Sequence, residues 1–135
     1  MPVRQSQSVL QLSADVLERI WQHARNADPY EACGIVTSSE RHVPIRNASP
    51  RALVAYQFGA AEQLEAWQDM RDNGETLMVI YHSHTNRDSM PSTTDHALAA
   101  YPDAHYLIVS TRTGTAQSFV LVNGQLTEEP LEVLP

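Results

Sequence analysis

Lysine is absent from the 135 residues, cysteine occurs once, and no apolar run is long. Each absence closes a route. Without lysine the chain has no Schiff-base nucleophile, and its cations are nine arginines, scattered rather than clustered. With a net charge of −7, that distribution argues against nucleic acid, which calls for a basic face. The lone Cys33 excludes an intramolecular disulfide and any multi-cysteine zinc site. A metal would therefore have to take His, Asp or Glu. No window reaches the roughly 18 apolar residues of a membrane span. The Met-Pro-Val-Arg-Gln-Ser start lacks the apolar core of a secretory leader. The expectation is a soluble cytoplasmic protein with no membrane partner.

What is present is ordinary for a globular chain. Hydrophobic residues make up 42 % and charged residues 19 %, which speaks against disorder. One core usually serves about 100–200 residues, so residues 1–135 are expected to form a single domain. No repeat, low-complexity segment or linker interrupts them.

Ser13 opens a helix signal, with Val16, Leu17, Ile20, Trp21 and Ala24 at helical spacing. Asn26-Ala27-Asp28-Pro29 ends it, because Pro29 disfavours helix in the residue before it. Cys33 to Thr37 reads as a buried strand, and Arg41 to Asn47 as its antiparallel partner, placed at an edge by Pro44. Leu53 to Phe58 reads as a further short strand. Ala60 to Arg71 reads as a helix with Leu64, Trp67 and Met70 on one face, stopped at Asn73-Gly74.

Thr76 to Tyr81 is a continuous apolar strand, and Thr93 to Ala100 a short helix ended at Tyr101-Pro102. His105 to Ser110 and Ser118 to Val122 are strands around a Thr113-Gly114 turn. Asn123-Gly124 then signals a hairpin into Gln125 to Thr127. This order predicts an α/β domain, a mixed sheet covered by helices.

Chemistry concentrates at residues 81–95, YHSHTNRDSMPSTTD. If the strand keeps its two-residue period, His82 and His84 point to one side and Ser83 to the other. Their Cα atoms would be roughly 6–7 Å apart, and two imidazoles leaning inward from that span can reach one zinc. Asp95, in the first turn of the next helix, is a third candidate ligand, leaving the fourth position open for water. The plainer account of Ser92-Thr93-Thr94-Asp95 is a capping box, and an isolated His-x-His can be structural. The two accounts of the helix start are compatible, since a capped helix start is a stiff mount for a ligand.

Taken together, the apolar strand, His-Ser-His, seven residues and Ser-x-x-Asp resemble the zinc motif of the JAMM (MPN+) metallopeptidases, and the resemblance runs from Ser13 to the last strand. It implies a JAMM/MPN-like fold, a mixed, mostly antiparallel curved sheet flanked by helices, with zinc at a strand end and a helix start. It implies His82, His84 and Asp95 as Zn2+ ligands. By the same match Glu31, in DPYEACGIV, is the general acid/base for the attacking water, and Ser92 helps hold the oxyanion. A carboxylate beside Ala32, Cys33 and Ile35 is expected to have a raised pKa, as a base requires. Cys33 is read as a buried strand residue, not a nucleophile. His23, His42, His96 and His105 are read as structural, with Asp88 at the rim of the site.

Bacterial members commonly carry proline after the second histidine, where this chain has Thr85. That departure, with EACG, PDAHYLIVSTR and VNGQLTEEPLEVLP, is most similar to the actinobacterial Mec-type (CysO-cysteine) sulfur-carrier peptidases. The implied substrate is a small ubiquitin-like sulfur-carrier protein with a C-terminal Gly-Gly joined to cysteine by an amide. Hydrolysis would release cysteine, in cysteine biosynthesis. The tail is expected to lie along an exposed strand, where only glycine passes a narrow channel, with the Thr85–Met90 loop as one wall. A variant reading trims extra residues from a carrier tail to expose Gly-Gly. A non-catalytic MPN scaffold would usually lack part of the set Glu31, His82, His84, Ser92 and Asp95, all present here. A zinc deaminase would ordinarily add a C-x-x-C. A homodimer is open by resemblance, though nothing in the sequence displays an interface.

Overall fold

Two-residue alternation in the apolar runs sorts side chains to the two faces of one sheet. The computed structural model describes residues 8–135, so the start read for a leader lies outside the described residues. The elements are β1 (Leu10–Ser13), α1 (Ala14–Ala27), β2 (Cys33–Thr37), β3 (His42–Ile45), α2 (Ala60–Asp72), β4 (Leu77–His84), α3 (Thr93–Leu98), β5 (His105–Ser110), β6 (Thr115–Val122), β7 (Gln125–Glu129) and β8 (Leu131–Leu134).

Six strands form one sheet in the order β3-β2-β4-β5-β6-β7. Only the β4–β5 pair within it is parallel; the others are antiparallel. On β4, Val79 and Tyr81 face one layer with Leu107 and Val109 of β5, where Val16, Ile20 and Ala24 of α1 cover them. Ile80, Tyr106 and Ile108 face the other layer, with Ala66 and Met70 of α2. The mixed α/β architecture expected from the sequence is thus present, with helices on both faces. No helix among the described residues is long and apolar enough to cross a membrane.

Local chemistry explains the boundaries. The Ser13 side chain accepts from Val16 N, capping α1. Asn123 and Gly124 both take positive φ, 51° and 79°, as a tight hairpin between β6 and β7 requires. Gly34 admits the ring of Tyr81, since a Cβ there would lie 2.6 Å from Tyr81 Cε2 and from the Val43 carbonyl.

Three expectations need correction. Leu53–Phe58 is not a strand; it is a turn with a single bridge from Phe58 to Asn47. Its apolar side chains made it look extended, but Asn47 captures its backbone, as described below. Leu64 does not join the buried face of α2 and is 60 % exposed, because the helix docks through Ala66 and Met70. β4 runs on through His84, past the apolar run, because its polar end still pairs with β5 through His84–Ser110. Two strands went unread, β1 and β8, which pair in parallel from Leu10–Leu131 to Ser13–Leu134.

Candidate metal centre

The polar end of β4 sits between β2 and β5, buried by neighbours on both sides. Strand alternation turns His82 and His84 to the Ile80 face, and both are buried. Ser83 faces away, where its hydroxyl accepts from Ala32 N at 2.8 Å and its own N–H donates to Ala32 O at 3.0 Å. Since Cys33 lies opposite His82, this extension of the ladder carries Glu31 to the position opposite His84. Sequence distance of some fifty residues is closed by one strand pair.

α3 brings the third group. Its capping box is complete: Asp95 N donates to Ser92 Oγ at 3.1 Å, and Ser92 N donates to Asp95 Oδ2 at 2.8 Å. The cap read from the sequence is therefore real, and it also aims the Asp95 carboxylate at the histidines. His82 Nε2 lies 3.2 Å from His84 Nε2 and 3.2 Å from Asp95 Oδ1, and His84 Nε2 lies 3.0 Å from Asp95 Oδ2. A tetrahedral ion with bonds near 2.0–2.1 Å would need donor separations of about 3.3 Å. The three residues fit such an ion, and their donor atoms all lie within 4.8 Å of one another.

The surroundings favour a cation at this point. His84 Nδ1–H donates to the Asp88 carbonyl at 2.6 Å, which directs Nε2 to the cluster, as a carbonyl partner does for metal-binding histidines. Burial opposes protonation of His84, yet the Asp95 and Asp88 contacts outweigh it and raise its pKa. Burial also opposes ionisation of Asp95, but the two imidazoles and the Ser92 backbone hold its carboxyl well below the usual carboxylate range. Two imidazoles and one carboxylate suit zinc and also tolerate iron or cobalt.

Glu31 is buried, and its Oε1 has no hydrogen-bond partner among the described residues. Burial pushes its pKa up, as expected from the sequence, against the pull of His82 and His84. An unpartnered buried acceptor beside three converging donors is suited to accept a proton from a water placed there. Ser92 spends one lone pair on Asp95 N, which leaves its O–H proton to donate.

Three contributors had no sequence signal. Asn47 donates to Glu31 O at 2.9 Å and Ala55 O at 3.0 Å, while its Oδ1 accepts from Ser49 N and Gln57 N. One amide thus fixes both the Glu31 backbone and the 49–57 turn. That turn delivers Tyr56 onto His82, with ring centroids 4.4 Å apart and planes at 22°. It also delivers Arg51 to the cleft beside the site. An asparagine in a polar stretch, IRNASP, gave no hint of four bonds.

The side chains of the remaining singled-out residues have partners away from the His82–His84–Asp95 cluster. The Cys33 thiol is buried, donates to Ile45 O at 3.3 Å and is pushed up to about 12 by burial, so it carries little thiolate. His23 Nδ1 and His42 Nε2 each lie 2.7 Å from Tyr81 OH, which donates to one and accepts from the other. His96 Nδ1 accepts from Leu126 N, and His105 pairs with Glu129. Asp88 acts through its backbone carbonyl, its side chain accepting from Met90 N. The Thr85–Met90 loop contributes Asn86 and Arg87 to a cleft of about 270 Å3 that reaches His84 and Ser92.

A family model for prokaryotic homologs of the JAB domain matches residues 13–122. The chain is 42 % identical over 135 residues to a CysO-cysteine peptidase of Mycobacterium tuberculosis (strain ATCC 25618 / H37Rv), covering 93 % of this chain and 92 % of that one. It is 34 % identical over 113 residues to a desampylase of Haloferax volcanii, covering 76 % and 81 %. The fold matches the crystal structure of a JAB1/MPN domain protein from Archaeoglobus fulgidus with a TM-score of 0.64 at 17 % identity, over 93 % of this chain and 100 % of that one.

Proposed function

The chain belongs to the prokaryotic JAB family, and from that we propose that it is a zinc-dependent hydrolase of a ubiquitin-like sulfur carrier, cutting the amide between the carrier's Gly-Gly end and a terminal cysteine. The observation that carries the reading is the meeting of His82, His84 and Asp95 at 3.0–3.2 Å beside the unpartnered oxygen of Glu31. The named peptidase and desampylase relatives support a JAB-type hydrolase; cysteine as leaving group rests on the first of them.

His82, His84 and Asp95 would hold the ion, which when bound would acidify a water and polarise the scissile carbonyl. Glu31 takes the water's proton and delivers it to the departing amine, so each turnover breaks one C–N bond and leaves a glycine carboxylate and an ammonium. The Ser92 hydroxyl donates towards the developing oxyanion, a contact worth about 3 kcal/mol or more in comparable sites. Ser83 and Asn47 hold the chain on either side of Glu31. Tyr56 covers the outer face of His82 and excludes water from it.

Mixing the zinc-loaded protein with a Gly-Gly–cysteine carrier adduct and following the carrier's mass tests the reading. Loss of one cysteine residue by wild type, and not by Glu31→Gln with its metal retained, is the expected result. Cleavage only of a carrier with a longer tail would favour the trimming variant.

A further inference from the structure

Two clefts differ in character, and only the smaller of them is lined by His84 and Ser92 of the candidate site. One, of about 480 Å3, is walled by Tyr56, Phe58, Leu98, Tyr101 and Tyr106. The other, of about 270 Å3, is polar and is lined by Arg51, Asn86, Arg87 and Thr93 beside His84 and Ser92. In a chain with sixteen acidic residues and nine arginines, this second cleft holds two arginines and no carboxylate.

The heads of these arginines are uncommitted. Among the described residues Arg19, Arg25, Arg41 and Arg46 each close on a carboxylate, whereas the guanidinium groups of Arg51, Arg71, Arg87 and Arg112 have no hydrogen bond or ion pair, and of these four only Arg51 and Arg87 line this cleft. Their backbones are tied down. Arg51 N donates to Ser49 Oγ at 3.0 Å, and Arg87 O accepts from Ser110 Oγ at 2.6 Å. Two unpaired guanidinium groups on anchored backbones, in one cleft with His84 and Ser92, make a receptor for a small planar anion.

We propose that Arg51 and Arg87 bind the free α-carboxylate of the amino acid being released, so that the enzyme removes a single C-terminal residue from its carrier. The proposal rests on the hydrolase reading above and deepens it. A carrier ending in Gly-Gly-Cys places one negative charge a single residue beyond the scissile bond. A longer tail places an uncharged amide there, and a lysine-linked conjugate places an aliphatic stem.

The test uses three substrates on one carrier: Gly-Gly-Cys as free acid, Gly-Gly-cysteinamide, and Gly-Gly-Cys extended by one further residue. We expect wild type to cleave the free acid with kcat/KM about tenfold or more above the other two, the scale of a charge-assisted hydrogen bond. Arg87→Ala and Arg51→Ala should lose that preference through KM, the ratio of kcat/KM for free acid over amide falling towards one. A turnover-free readout accompanies it. Calorimetric binding of N-acetyl-Gly-Gly-Cys to metal-loaded Glu31→Gln should weaken about tenfold on adding Arg87→Ala, with the amide form unchanged. Equal cleavage of acid and amide by wild type would overturn the carboxylate site and leave the hydrolase standing. So would arginine variants that lose both substrates equally. Failure of wild type to cleave any of the three, with metal bound, would remove the hydrolase reading and this proposal with it.

Discussion

A buried carboxylate oxygen without a partner is costly to keep, and Glu31 keeps one beside the histidine pair. Removing its charge while keeping its shape should therefore spare the fold and damage the chemistry. Glu31→Gln is expected to lower kcat by about a hundred- to ten-thousand-fold, the usual contribution of a general base. Its metal content, read by elemental analysis, should match wild type. A variant that loses its metal as well would mean that Glu31 is a ligand, not a base. Asn47 carries a different load, because its four bonds fix Glu31 O and the Tyr56 turn together. Asn47→Ala strands two carbonyls and two N–H groups, so unfolding in urea should show a loss of about 2–3 kcal/mol, with kcat reduced at unchanged metal content. Unchanged stability would mean that water replaces the amide. At this scale the candidate ligands His82, His84 and Asp95 were legible because their spacing obeys strand and cap geometry. Asn47, Tyr56 and Arg51 were not, since they reach the site through a turn whose path depends on contacts distant in sequence.

Strands and helices of this chain divide between elements that announce themselves and elements that need a partner. β4 and β5 are apolar enough to be read alone, whereas β1 and β8 are four residues each and exist by pairing across most of the chain. Leu53–Phe58 failed in the opposite sense, since apolar content cannot tell a strand from a turn held by a side-chain amide. The β2–β4–α1 layer contains one element-scale device that pattern reading passed over. Tyr81 of β4 sits in the space left by Gly34 of β2 and links His23 of α1 to His42 of β3. Burial lowers the pKa of His23, and burial, with the nearby His23 and Arg19, lowers that of His42 to about 4. The unfolded chain, with histidines near their ordinary value, binds more protons than the folded one between about pH 4 and 6.5. This contribution to stability is therefore complete above pH 6.5 and is lost as pH falls towards 4. Urea midpoints measured across that range should fall with acid less steeply in His42→Gln than in wild type, and parallel curves would exclude the linkage. Gly34→Ala should be far more disruptive, costing about 3 kcal/mol or more, because the new methyl meets both a ring and a backbone carbonyl. A shift in melting temperature of only a degree or two would show that Tyr81 can move aside.

Across the whole molecule the ligand set joins two parts that the core alone holds unequally. His82 and His84 belong to the central strand of the six-stranded sheet, where neighbours bury them on both sides. Asp95 belongs to α3, a six-residue helix with no buried residue. α3 is tied to the remainder chiefly by the His96–Leu126 bond and by Asp95 itself, so hydrophobic packing contributes little to its position. An ion bound by all three residues would link helix to sheet in the folded state and find no such site in the unfolded chain. With free metal about 1,000-fold above its Kd, that linkage amounts to about 4 kcal/mol. For a chain of this length it corresponds to about 10–15 °C in melting temperature. Chelation should lower the melting temperature by that order and restore it on adding zinc. Hydrogen exchange should locate the first loss, with amides of α3 and the Ser92 cap exchanging faster while those of β4 and β5 stay protected until global unfolding. The His84→Ala variant should behave as the chelated protein does and be insensitive to added zinc. A uniform rise in exchange across sheet and helix would mean that the metal supports the core as a whole, and no change on chelation would place the ion elsewhere or nowhere.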